Sequence, residues 1–265
     1  MKYILALFFC AAGVEASLVH AHGFWILRSS TVLSSPQFVT FDAAVSNDPF
    51  HFNHRPLQID ALTIHAPDGS KVNPLNVSQG ELRTTFDANL EQKGTYRLVI
   101  LREGLRAFWK EGDQPKRFMG DAETLFKSVP DDAKDLKISE MINRLETFVT
   151  IGSPTALETA GKGLEMMTSI HPNDLIANEP LTLQFLVDGK PAEGVKVEVV
   201  KGQTRYRNNR GELELESGKN GKVTITLPEA GMYWLDASFS DDKVSDTRVK
   251  KRDLAYKLTF EVLPQ

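Results

Sequence analysis

The sequence predicts an all-β chain, two sandwiches of antiparallel strands with a partly helical insertion between them. Three observations carry this expectation. Short runs of alternating apolar and polar residues recur along most of the chain, punctuated by turn residues. A middle stretch changes to helical spacing. A motif of Leu, three residues, Gly, one residue, Tyr occurs in both β-like parts, from Leu90 to Tyr96 and from Leu227 to Tyr233. A tyrosine at such a strand start can bond back to the adjacent loop, as in the tyrosine corner of immunoglobulin-like sandwiches.

In the first part, residues 37–45, 57–64 and 95–101 read as strands, and Pro67-Asp68-Gly69-Ser70 as a turn. From 105 to about 148 the text changes. Ile138, Met141, Ile142, Leu145, Phe148 and Val149 fall at helical spacing, with Asp135 or Ser139 available as caps. Residues 152–163, rich in Gly, Thr and Ala, look like a boundary. Beyond it, 181–187 and 195–199 alternate on either side of Asp188-Gly189-Lys190-Pro191, and 254–263 reads as a closing strand. Asn220-Gly221, between 213–215 and 223–225, predicts a hairpin, since both residues tolerate positive φ. The expected units are 1–21 as a cleaved signal, 22–104 and 163–265 as sandwiches, and 105–152 as the insertion or linker.

The signal rests on Lys2 and the apolar run 3–14, followed by small residues. A membrane span would need roughly 20 apolar residues, so export to the periplasm by a cleaved signal is the expectation. Cleavage after Ala16 would leave Ser17 first, and cleavage after Ala21 would leave His22-Gly23-Phe24-Trp25 first. The second is favoured, because the charged Glu15 sits awkwardly before the first. The single cysteine, Cys10, lies inside the signal, so the mature chain would have no disulfide, thiolate site or cysteine nucleophile.

With 31 basic against 35 acidic residues there is no chain-wide basic field, which argues against a nucleic-acid partner. The Gly-x-Ser-x-Gly elbow, the phosphate loop and His-Glu-x-x-His are all missing, and the expectation is a protein that is not an enzyme.

Histidine is the ligand type that remains. His20, His22, His51, His54 and His65 crowd the first quarter of the chain, and His171 stands apart. His51 and His54 form a His-x-x-His in a Pro-bounded loop, with Asp48 three residues before His51. If His22 comes first, its α-amine and imidazole form a chelate, which one or two further histidines complete into a site suited to Cu(II) or Ni(II). The expected metal residues are His22, His54, His51 and Asp48. The plainer reading is a surface loop whose histidines lie beside aromatics. His171-Pro172-Asn173-Asp174 reads first as a turn, His65 as an exposed strand end, Met166-Met167 as a pair that could offer thioethers to Cu(I) but of which one normally points into the core, and Lys250-Lys251-Arg252 as a solvated loop.

Residues 20–25, 39–52, 143–152, 163–172, 188–191 and 227–233 together resemble a family of exported bacterial proteins, a domain of unknown function often labelled a periplasmic component of nickel or cobalt uptake. The resemblance implies two immunoglobulin-like sandwiches, the second like transthyretin or carboxypeptidase-regulatory modules. It also implies a histidine segment at the cleavage point, here His20 and His22, and a first-domain loop matching Asp48 and His54. A metal-binding accessory serving a membrane permease or an outer-membrane receptor is the function it implies. A looser likeness is to the periplasmic copper-resistance protein C family, but the closing Asp-x-His is missing. Lytic polysaccharide monooxygenases share only the N-terminal histidine. The alternatives are therefore a metal-free interaction module for a receptor or siderophore system and, more remotely, a copper redox enzyme with a histidine brace.

Overall fold

The structure, a computed structural model, describes residues 23–265. In chain order its strands begin with β1 (Gly23–Arg28), β2 (Val32–Leu33), β3 (Gln37–Ser46), β4 (Arg55–Pro56), β5 (Leu62–His65), β6 (Lys71–Val72), β7 (Leu75–Gln79), β8 (Thr84–Leu90) and β9 (Gly94–Glu111). There follow β10 (Gln114–Gly120), helix α1 (Ala122–Ser128), β11 (Lys134–Ile151), β12 (Leu164–Thr168), β13 (Pro180–Val187), β14 (Lys190–Pro191) and β15 (Lys196–Lys201). The chain closes with β16 (Leu213–Glu216), β17 (Lys222–Thr226), β18 (Gly231–Asp241) and β19 (Arg252–Val262).

The all-β sandwich architecture is as the sequence predicts. A five-stranded sheet runs β1-β3-β8-β7 with β4 on β3, and a four-stranded sheet runs β12-β13-β14 with β17 on β13. Between them lies a ten-stranded sheet, β16-β15-β18-β19-β11-β9-β5-β6, extended by β10 and β2. The two sandwiches share this large sheet and use its opposite faces. Leu145, Val149 and Ile151 of β11 enter the first core with Phe41, Phe86 and Tyr96, while Ile142 and Phe148 enter the second with Phe185, Tyr256 and Phe260. The strand period of two makes this division, since successive side chains point to opposite faces.

This also explains where the helical expectation fails. Residues 138–149 are strand, not helix. β11 lies between antiparallel β9 and parallel β19 and is covered on both faces, so apolar residues stand at odd and even positions alike. A doubly buried strand loses its alternation and cannot be told from a buried helix by periodicity. Among the described residues the one α-helix is α1, inside the expected insertion, and its cap is Asp121, whose carboxylate accepts the Thr124 N–H at 2.8 Å, rather than Asp135 or Ser139.

The Asn220-Gly221 turn is present, but it does not make a hairpin. β16 pairs with β15 in the large sheet, whereas β17 pairs with β13 in the small one. The turn carries the chain across the sandwich. Gly221, at φ 72°, is required there, because a Cβ would lie 2.4 Å from the Phe185 carbonyl oxygen. Pro67-Asp68-Gly69-Ser70 does close the β5–β6 hairpin, with Ala66 N–H on the Ser70 carbonyl at 2.8 Å.

Both tyrosines behave as corners. The Tyr96 hydroxyl accepts from the N–H groups of Glu91 at 3.0 Å and Gln92 at 2.7 Å. The Tyr233 hydroxyl donates to the Glu229 carbonyl at 2.8 Å. Beyond the sandwiches, the outer ends of β9 and β11 with β10 form a projecting three-stranded arm. Leu105, Ala107 and Trp109 form its core under Leu125 of α1 and Val249.

Candidate functional site

The loop that carries Asp48, His51 and His54 leaves the end of β3 and returns as β4, which pairs back on β3 through Ala44↔Pro56 and Val45↔Arg55. Gly23, the first described residue, stands opposite Ser46 in the β1–β3 ladder. Trp25, fully buried, donates its indole N–H to Ser46 Oγ at 2.8 Å, and Ser46 donates in turn to the Asp48 carbonyl at 2.5 Å. The rings of Phe50 and Phe52 stand 5.5 and 5.3 Å from Trp25. An indole of this size and burial contributes about 3 kcal/mol or more on truncation, so the loop is tied to the β1 strand by a strong anchor.

The second sandwich supports the same loop. Phe50 takes a left-handed backbone at φ 66°, and its ring presses on Gly202, where a Cβ would come within 2.8 Å. Trp234, from β18, donates its indole N–H to the Phe24 carbonyl at 2.9 Å. Trp25, Ala44, Val200 and Trp234 make a small core of their own at this junction.

Asp48 and His51 are half-buried, and His54 is exposed just before β4. The His51 N–H donates to the Asp48 carbonyl at 3.2 Å, closing a turn. Among the described residues no group of three or more His, Cys, Asp or Glu side chains converges as a metal holder. Asp48, His51 and His54 therefore share one short loop without forming such a group by themselves. His22 lies outside the described residues. Imidazole nitrogens and a carboxylate oxygen are donor types that nickel, cobalt and Cu(II) accept, but these side chains do not converge among the described residues.

The Asn173 N–H donates to His171 Nδ1 at 3.1 Å, so in the neutral ring Nε2 carries the proton and donates to Thr95 Oγ1 at 3.2 Å. Both nitrogens are engaged. Burial lowers the His171 pKa, against a smaller opposing effect of Asp174. His65 ends β5 opposite Arg97, half-buried, and burial together with the charges of Arg97 and Lys71 lowers its pKa. Met166 packs on the second core and Met167 is exposed. Arg252 is not solvated. It is buried between Asp188 at 2.8 Å and Asp241 at 2.7 Å.

Sequence reasoning missed a buried charge cluster at the middle of the large sheet. Glu146 accepts from Arg97 Nε at 3.1 Å and from the Tyr256 hydroxyl at 3.0 Å, with Arg144 at 3.4 Å. Glu165 caps the N–H groups of Ala160 and Gly161, each at 2.7 Å. Burial, then the Glu146 charge, pushes the Tyr256 phenol well above its usual pKa. The cluster borders a cavity of about 220 Å³ that His171 and Phe148 also line. Its signal was Arg144 and Glu146 set two apart in an apolar run, legible only once that run is read as a strand.

Residues 19–241 match the model of a family described as Domain of unknown function (DUF4198). A search of the curated proteins finds no match. Among solved structures, the D0-D1 domain of intimin is 14% identical, with 90% of this chain and 97% of that chain covered and a TM-score of 0.21. The chicken CNTN1 FN1-FN3 domains are 6% identical over 92% and 99%, with a TM-score of 0.24. FdeC, an Escherichia coli adhesin, is 13% identical over 89% and 62%, with a TM-score of 0.21. TM-scores this low leave the fold to be read from the sheets themselves.

Proposed function

This chain belongs to the DUF4198 family, and we propose that it is an exported, non-enzymatic protein that binds a divalent transition metal for an uptake system. Nickel, cobalt and copper are the ions its donors suit. The observation that supports the reading is the Gly23↔Ser46 pairing. It sets the strand that would follow a newly cut His22 beside the loop of Asp48, His51 and His54. Cleavage after Ala21 would then supply the α-amine and a third imidazole to a donor set that lacks them.

Such a site would hold cargo rather than run a reaction. The periplasmic location and a permease or outer-membrane receptor as partner follow from the same proposal. No helix among the described residues is long and apolar enough to cross a membrane. Native mass spectrometry of the exported protein tests the reading, because one spectrum reports both the mature terminus and any bound ion. A mature chain beginning at His22 with one metal bound supports it. A chain beginning at Ser17 that stays metal-free when Ni(II) and Cu(II) are added contradicts it and favours a metal-free interaction module.

A further inference from the structure

The arm built by β9, β10 and β11 has two unlike faces. One is covered by α1, as described. On the other, the ladder sets Arg117, Phe108 and Lys137 side by side in one cross-strand row. Met119 pairs with Arg106 in the next row towards the sandwiches, and Pro115, Lys110 and Lys134 form the row towards the tip. Antiparallel partners share a face, so these side chains point the same way.

This outer face is uncovered and apolar at its centre. Phe108 is 48% exposed and Met119 61%. Leu136, 42% exposed, joins them through the bulge between Lys134 and Lys137, where Asp135 takes a left-handed backbone. Exposed large apolar groups collected on one projecting element mark a contact surface. Five cations surround them: Arg106, Lys110, Arg117, Lys134 and Lys137. The carboxylates that meet this set are Asp135 on Lys110 at 2.7 Å and Asp253 on Arg106 at 2.7 Å, leaving the face positive on a chain whose net charge is −4.

We infer that this face docks on an anionic lipid bilayer. Cations neutralise the headgroups while Phe108, Met119 and Leu136 reach the acyl boundary, the division of labour that interfacial membrane binding uses. A polyanion alone would leave the three apolar side chains in water. The inference is independent of the proposed metal site, which lies on the loop between β3 and β4, whereas the arm has a core of its own.

Co-sedimentation with vesicles tests it, using the chain that starts at His22 so that the apolar run 3–14 is absent while all described cores are kept. Binding to phosphatidylglycerol vesicles but not to phosphatidylcholine vesicles is expected, weakening as salt rises. The double variant Arg117→Glu, Lys137→Glu should lose more than about tenfold in affinity. Phe108→Ala with Met119→Ala should lose several-fold with the salt dependence kept. Circular dichroism confirms that each variant is folded. The inference is overturned if the wild type stays in the supernatant, if it binds both vesicle types equally, or if charge reversal has no effect. Equal capture by polyglutamate, independent of Phe108 and Met119, also overturns it, in favour of an acidic protein partner.

Discussion

Trp25 reaches across the β1–β3 ladder to Ser46, and Ser46 passes the hydrogen-bond chain on to the Asp48 carbonyl, so the histidine loop is fixed by the strand that starts at Gly23. The order of the loop is thus a property of β1, which the metal reading requires.

Ser46→Ala should therefore loosen the loop without emptying a core. It leaves a buried indole N–H without its acceptor, at a cost of about 1–3 kcal/mol. Thermal unfolding gives the loss, and amide exchange at 48–54 should rise more than exchange in β13. Unchanged exchange in the loop would refute the coupling.

Glu146→Gln should be one of the most damaging single changes. It removes the charge that faces Arg97 and Arg144 and leaves the buried Arg144 with only the more distant carboxylate of Glu165, at 3.7 Å. Breaking a buried pair in this way costs about 3–5 kcal/mol. Urea unfolding should show a lower midpoint with the slope preserved. A loss under about 1 kcal/mol would mean that water screens the cluster.

The two corners should differ. Tyr96→Phe strands two backbone donors and Tyr233→Phe one acceptor, so the first should cost more than about 1 kcal/mol and the second about that amount. Equal losses would contradict the corner geometry.

His171 should make stability depend on pH on the acid side. Its pKa is lowered in the folded state, so between that value and the unfolded value of about 6.5 the unfolded chain binds more protons. Stability from the neutral ring is complete above about pH 6.5 and falls as pH drops through this window towards the folded pKa. His171→Gln should flatten the curve there relative to wild type, as denaturant titrations at pH 7 and pH 5 can show. Parallel curves for the two proteins would exclude the assignment.

Strands with one wet face were readable from the sequence. β13 and β15 alternate because one side meets the second core and the other is less covered. β11 was not, because Leu145 and Phe148 serve different cores on opposite faces. Asn220-Gly221 was legible as a turn, but which sheets its flanking strands join depends on partners far away in sequence. The same distance hid the site's frame. Asp48, His51 and His54 are visible in the sequence as a loop, while the pairing of Gly23 with Ser46 and the contact of Phe50 with Gly202 are long-range facts. Arg97 and Glu146 meet only through the β9–β11 register.

Calorimetric titration of Ni(II) and Cu(II) into chains that begin at His22 and at Ser17 tests the central claim most directly. The His22 chain should bind one ion, and both the Ser17 start and His54→Ala should weaken it by about tenfold or more. Coordination needs neutral imidazoles and an uncharged α-amine, so the affinity should fall from pH 7 to pH 5. His65→Ala should bind like wild type. Undiminished binding by His54→Ala, or no binding by the His22 chain, would contradict the account.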